Sequence, residues 1–259
     1  MNSLRLRLAI LATTSLVTAC GGGGDSNAPV ITPLATPVTK VEGYYTGTVS
    51  NGTQFQLLAL ENDQVYSLVG NTDAQGTFRV ASLVEGPGTS ANGSFSVSNA
   101  KEYSANGQVF AGTISGSFNP RANVMGTVAS NSSTLAFSGT VPVSTSYNYD
   151  TPASSASATG TWSGATLFGE SVSFTVASTG TVSGLSAQGC RFTGTVGPRP
   201  SGKNVFDVTV TFGSAPCATP GATGAGIGVI SPLTGGRNQL LLAFTDAGRT
   251  RGTVVFAQK

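Results

Sequence analysis

The chain has 259 residues, with 13 Lys and Arg against 11 Asp and Glu, and no histidine. The missing imidazole removes the commonest general base, the Ser-His-Asp arrangement and most zinc and iron sites. A charged content of 9% leaves no basic footprint for nucleic acid and no polybasic patch for anionic lipid.

Arg5 and Arg7 open the chain as a positive segment, and Leu8 to Ala19 form an apolar stretch too short to span a bilayer. Val17-Thr18-Ala19-Cys20 follows, and then Gly21 to Gly24. This run resembles the lipobox of bacterial lipoproteins. The resemblance implies that residues 1–19 are a signal peptide, that cleavage falls before Cys20, and that Cys20 is acylated on its sulfur and new amine. A lipid membrane is then a partner through Cys20. Gly21 in place of Asp implies, by the sorting rule of that family, the outer membrane. Loss of the leader removes Arg5 and Arg7, so the mature body carries 11 charges of each sign and is neutral.

Residues 20–41 read as the lipidated cysteine and a linker, flexible at the glycines and stiffened by Pro29, Pro33 and Pro37. Fully stretched, residues 21–41 reach about 70 Å, enough to lift the body clear of the headgroups.

From Glu42 onward, strands alternate with turns. Residues 42–50, 54–61, 64–70, 77–85, 92–98, 107–118, 122–129 and 133–141 read as strands, with reversals at Asn51-Gly52, Asn62-Asp63, Asn92-Gly93 and Asn119-Pro120. A second set of eight lies near 159–167, 170–177, 180–187, 190–196, 204–213, 224–231, 238–245 and 249–257. Residues 147–157 join them, with a helical turn near Pro152 to Ser157. Phe206, Val208, Val210 and Phe212 share one strand face opposite Asp207, Thr209 and Thr211; Leu240, Leu242 and Phe244, Phe95 and Val97, and Leu135 and Phe137 repeat the alternation.

Two matches point to duplication. Gly43-Tyr44-Tyr45-Thr46-Gly47 aligns with Gly160-Thr161-Trp162-Ser163-Gly164 at an offset of 117 residues, where Phe55, Leu57, Ala59 and Val65 meet Val172, Phe174, Val176 and Val182. Ser115 to Arg121 aligns with Thr193 to Arg199 at an offset of 78, which implies strands or loops lost from the second half. The expected fold is all-β: two successive eight-stranded antiparallel up-and-down barrels, at 42–146 and 158–259. Closure also removes edge strands, a hazard for a chain so rich in Val, Thr and Gly. Once Cys20 is assigned to lipid, Cys190 and Cys217 remain as a disulfide pair in an oxidising compartment. The bridge closes 28 residues counted inclusively, worth about 3–4 kcal/mol of loop-closure entropy.

Candidate chemistry is thin. The serines match no nucleophile elbow. Glu61 and Asp63 flank a hairpin turn, Asp207 lies on a polar strand face, and Asp150, Glu170 and Asp246 fall in turn-like settings. Gly224-Ala225-Gly226-Ile227-Gly228 opens no helix and offers no Walker lysine, so it reads as a close-packed or bent strand, not a phosphate cradle. No catalytic residue, metal or cofactor is expected. Large inward side chains such as Phe206, Phe212 and Phe244 could either line a pocket or fill it, and filling is preferred because eight strands leave room for little else.

Gly160-Thr161-Trp162 resembles the G-x-W opening of lipocalin-like barrels. That likeness implies a tryptophan closing one barrel end beneath an arginine, for which Arg249 or Arg251 is available. The layout of lipobox, glycine run and two barrels is similar to surface lipoproteins that bind host factor H, to part of the transferrin-binding lipoproteins, and to uncharacterised proteobacterial envelope lipoproteins. The expectation is a non-enzymatic binding or adhesion module for a protein or other macromolecule. Tyr147 and Tyr149 would either be exposed contacts or pack the two units together. The alternatives are a carrier of a small apolar ligand and an envelope-assembly subunit.

Overall fold

The computed structural model describes residues 39–130, 133–143 and 147–259. The leader, Cys20 and the linker up to residue 38 lie outside the described residues. Both barrels belong to one compact unit, Val38–Lys259.

The first barrel is built from β1 (Gly43–Val49), β2 (Gln54–Ala59), β3 (Gln64–Thr72), β4 (Phe78–Pro87), β5 (Thr89–Ala91), β6 (Ser94–Ser104), β7 (Val109–Asn119), β8 (Asn123–Ser130) and β9 (Ser133–Thr140). Each strand pairs with the next in an antiparallel meander, except that β4 passes over three-residue β5 to pair with β6, and β1 meets β9. Eight strands therefore close the ring, and β5 is a short flap on β6. Alternation breaks after residue 98 in the sequence because a register shift falls between Val97 and Ala100. The strand resumes beyond that bulge and carries Lys101 and Glu102 into the ladder.

A single helical turn, α1 (Ser155–Ala158), leads into the second barrel. Its strands are β10 (Gly160–Thr166), β11 (Ser171–Val176), β12 (Thr181–Ser186), β13 (Arg191–Pro198), β14 (Phe206–Phe212), β15 (Thr223–Pro232), β16 (Asn238–Thr245) and β17 (Gly252–Gln258), closed by β10 against β17. The first repeat survives in three dimensions with the same register: Tyr45 faces Leu57 across β1 and β2, and Trp162 faces Phe174 across β10 and β11. The second match does not. Ser115–Arg121 lies on the sixth strand of its ring and Thr193–Arg199 on the fourth, so the shorter offset marks similar but non-equivalent strands, and none were lost.

The barrels touch through their outer walls. Tyr44, Leu58, Leu68, Phe78 and Leu83 of the first interlock with Ile227, Val229, Leu241, Ala243 and Val254 of the second. This explains why β16 is buried on both faces: Leu240, Leu242 and Phe244 enter the barrel while Leu241 and Ala243 enter the interface. Buried Gln239 completes the seam, accepting from the Phe78 amide at 3.1 Å and donating to its carbonyl at 2.9 Å.

Tyr147 and Tyr149 are each only 5% exposed and pack between the two barrels, which excludes the surface-contact role and bears out the packing role. Tyr147 lies 4.4 Å from the Tyr44 ring and donates to the Asn204 carbonyl. Arg121 stacks on Tyr149 at 4.7 Å and binds Glu42 and Asp150. Neither tyrosine interrupts an alternating strand, so no periodic signal marked it as buried.

Candidate functional site

One end of the second barrel is plugged. Trp162 is fully buried, and its Nε1 donates to the Ala158 carbonyl at 2.7 Å. Tyr45 makes the same plug in the first barrel, donating its hydroxyl to Val41 at 3.0 Å, again four residues back. The cation over the Trp162 ring is Lys259, at 4.6 Å, held by the carbonyls of Ser157 and Thr159. Arg249 is engaged with Glu85 of the first barrel, and exposed Arg251 stands at the other end of the barrel. The expected arginine is thus replaced by Lys259, which follows β17 where that strand runs beside β10.

The opposite end is open, and a cavity of about 660 Å³ runs into the barrel. That volume sits within the range of about 300–1,000 Å³ common to small-molecule sites. Val172, Val182, Val196, Val208, Val210 and Val255 give aliphatic walls, and Phe174, Phe192, Phe212, Leu242 and Phe244 complete them. The expectation of a filled barrel is corrected here. Phe206 fills space toward the plug with no exposure, but Phe212 and Phe244 line the cavity.

Strand β15 contributes to the hollow through Gly224, which lines the cavity. Ile227 and Val229 point outward into the seam, so Gly224, Gly226 and Gly228 face the lumen and contribute no side chain. At Gly226 the strands also approach too closely for anything else, since an added Cβ would lie 2.0 Å from the Ala243 carbonyl oxygen. Valines, in place of longer side chains, on β11 to β14 leave the remaining space. The alternating glycines were visible in the sequence as a strand feature; that they create volume depends on which face looks inward.

The rim is polar and braced. Cys190, after β12, and Cys217, between β14 and β15, are disulfide-bonded, tying two loops together at the mouth. Asp246 accepts from the Thr250 and Arg251 amides at 2.7 and 2.8 Å. Burial alone would raise its pKa, but these bonds and the Thr250 hydroxyl outweigh it and hold the carboxyl below the usual range. Glu170, Asp246 and Arg251 sit at this rim, whereas the deep walls carry no charge. Thr253 Oγ1 is buried on the wall without a hydrogen-bond partner among the described residues, so it offers a ligand one polar contact. Phe168, at the tip of the β10–β11 turn, stands 53% exposed on the rim.

The carboxylates raised by the sequence serve structural ends. Asp63 pairs with Lys40 at 2.9 Å, and Arg199 bridges Glu61 and Asp207 at 2.9 and 2.6 Å. Burial works against ionisation of Glu61, yet the Arg199 hydrogen bond and charge leave its pKa lowered. Asp150 binds Arg121 and Lys203, and Glu170 accepts from the Gln188 amide.

No protein-family model matches this chain, and no curated protein matches it. Among solved structures, a putative outer membrane protein from Bacteroides fragilis is similar over 85% of this chain and 95% of its own, at 13% identity and a TM-score of 0.25. A likeness at that score supports neither fold nor function; the hydrogen-bonded ladders establish the fold.

Proposed function

We propose that this is a lipid-anchored envelope protein whose second barrel binds a small apolar or amphipathic molecule. The supporting observation is the open cavity of about 660 Å³ with uncharged, aliphatic and aromatic walls. Burying an apolar body there releases about 25 cal/mol for each Å² removed from water. Polar groups confined to the rim favour a ligand whose head stays near solvent. On this support the carrier is preferred to the macromolecular binding module that the sequence favours. The anchor rests on Val17 to Cys20, and outer-membrane placement on Gly21.

Two measurements test the reading. Native mass spectrometry of the protein released from its membrane is expected to show one apolar adduct, and 1-aminoanthracene is expected to bind one-to-one with enhanced fluorescence. Absence of both would overturn the carrier reading. Metabolic labelling with palmitate should mark the wild type and not Cys20→Ala; equal labelling would remove the anchor.

A further inference from the structure

The mouth of the second barrel is not made by that barrel alone. The β6–β7 hairpin of the first barrel reaches over to it, and Ser104, Gly107, Gln108 and Val109 form part of the cavity lining. Val109 is 37% exposed there, an apolar side chain facing the opening of an apolar site.

A buried polar cluster keeps the hairpin in place. Glu85, on β4, is 2% exposed and accepts from Arg249 Nε at 2.7 Å. Arg249 Nη2 also donates to the carbonyls of Glu85 and Asn99, at 3.0 and 2.7 Å. The Tyr103 hydroxyl, at the end of β6, lies 3.1 Å from both the Glu85 carboxylate and the Arg249 carbonyl and donates toward them. Its ring rests on Gly252, where an added Cβ would come within 2.8 Å. Arg249 belongs to the β16–β17 loop, whose Asp246, Ala247 and Gly248 are the facing rim. Its φ of 54° is unusual for a side-chain-bearing residue, a conformation sustained by the bonds that hold it. One cluster therefore grips both sides of the opening: the strand that carries the hairpin and the loop across from it.

Inside the first barrel, Phe55, Leu57, Ile114 and Phe137 line a cavity of only about 30 Å³. That barrel's contribution to binding lies outside its own walls.

We propose that the first barrel is the specificity wall of the second: Val109 and Gln108 contact the ligand at the mouth, and Glu85, Tyr103 and Arg249 are positioning residues that set the aperture. This rests on the carrier reading. A filled barrel beside a hollow one is then a functional division, in which the mouth admits ligands by cross-section.

The test uses the full-length protein and two probes, compact 1-aminoanthracene and a bulkier dansyl-alkyl amide, followed by stopped-flow fluorescence. Val109→Trp, at an exposed position, should slow association of the bulky probe about tenfold while the compact probe stays within about twofold. Arg249→Met should speed release of both probes, and Arg249→Lys should restore part of the wild-type rate. The aperture role is overturned if Arg249→Met releases both at the wild-type rate or the lysine variant rescues nothing. Wild-type rates for both probes in Val109→Trp would overturn the wall and leave the carrier reading intact. Failure of the wild type to bind either probe would overturn both.

Discussion

In the first barrel, the ring of Phe137 meets Phe55 at 5.6 Å and Phe95 at 6.4 Å, and Phe95 meets Phe118 at 6.4 Å, so aromatic side chains span the lumen. In the second, Phe174 meets Phe192 at 6.3 Å on one side, and the wall formed by β15 presents glycines. Both rings have eight strands and both are plugged by an aromatic bonded to the carbonyl four residues back. Strand number and plug therefore do not decide whether such a barrel is solid. The summed volume of the inward side chains does, given that eight strands enclose barely enough room for side chains.

That contrast can be broken most directly by cutting rings out of each lumen. Phe137→Ala should cost about 3–5 kcal/mol, because packed rings surround the space it leaves. Phe212→Ala, beside an existing cavity, should cost only about 1–2 kcal/mol. Urea denaturation compares them, and equal losses would contradict a hollow second barrel. Next in size is the bridge at the mouth. Replacing Cys190 and Cys217 together by Ser should cost about 3–4 kcal/mol of loop-closure entropy and speed amide exchange in 213–222, with the first barrel unaffected. A similar change in both barrels would show that the bridge does not act locally.

Within β15 the comparison sharpens. Gly226→Ala drives a methyl into backbone and should cost about 1–3 kcal/mol. Gly224→Ala meets the Phe244 ring at 3.0 Å and Val210 at 3.1 Å, side chains able to shift, and the Thr245 carbonyl oxygen at a less severe 3.3 Å. It should cost less than about 1 kcal/mol and weaken 1-aminoanthracene binding. The reverse order of stabilities would refute the assignment of that strand.

The smallest effect is on acidification. Asp246 and Glu61 have folded pKa values below their ordinary ones, so each contributes fully above the normal carboxylate range and loses that contribution as pH falls through the depressed folded value. Both are partly exposed and screened, so each contributes at most about 1 kcal/mol. Probe release and loosening of loop 246–251, followed by fluorescence and amide exchange, should begin only below the usual carboxylate range. Onset near neutral pH would be inconsistent with these shifts.

Some of this was legible in the residues alone. Phe206 to Phe212 alternates cleanly, and the repeat at Gly43 and Gly160 placed equivalent strands before any coordinates. Other features were not, because apolar residues fall on both faces of the touching strands. Ile227 and Val229 alternate with glycine, and Leu241 alternates with Leu240, so period alone could not say which face was lumen and which was seam. Glu85 and Arg249 lie 164 residues apart, and nothing local announces their contact.

The sequence by itself determined the strand content, the duplicated opening and the cysteine pair, since period-two patterning, turn residues and short motifs are local properties. Only the tertiary structure decided that one barrel is solid and the other hollow, that Lys259 in place of an arginine covers Trp162, and that the first barrel completes the mouth of the second. Those outcomes depend on what stands across a lumen or an interface, and side-chain volume summed over distant strands is written in no single stretch of chain.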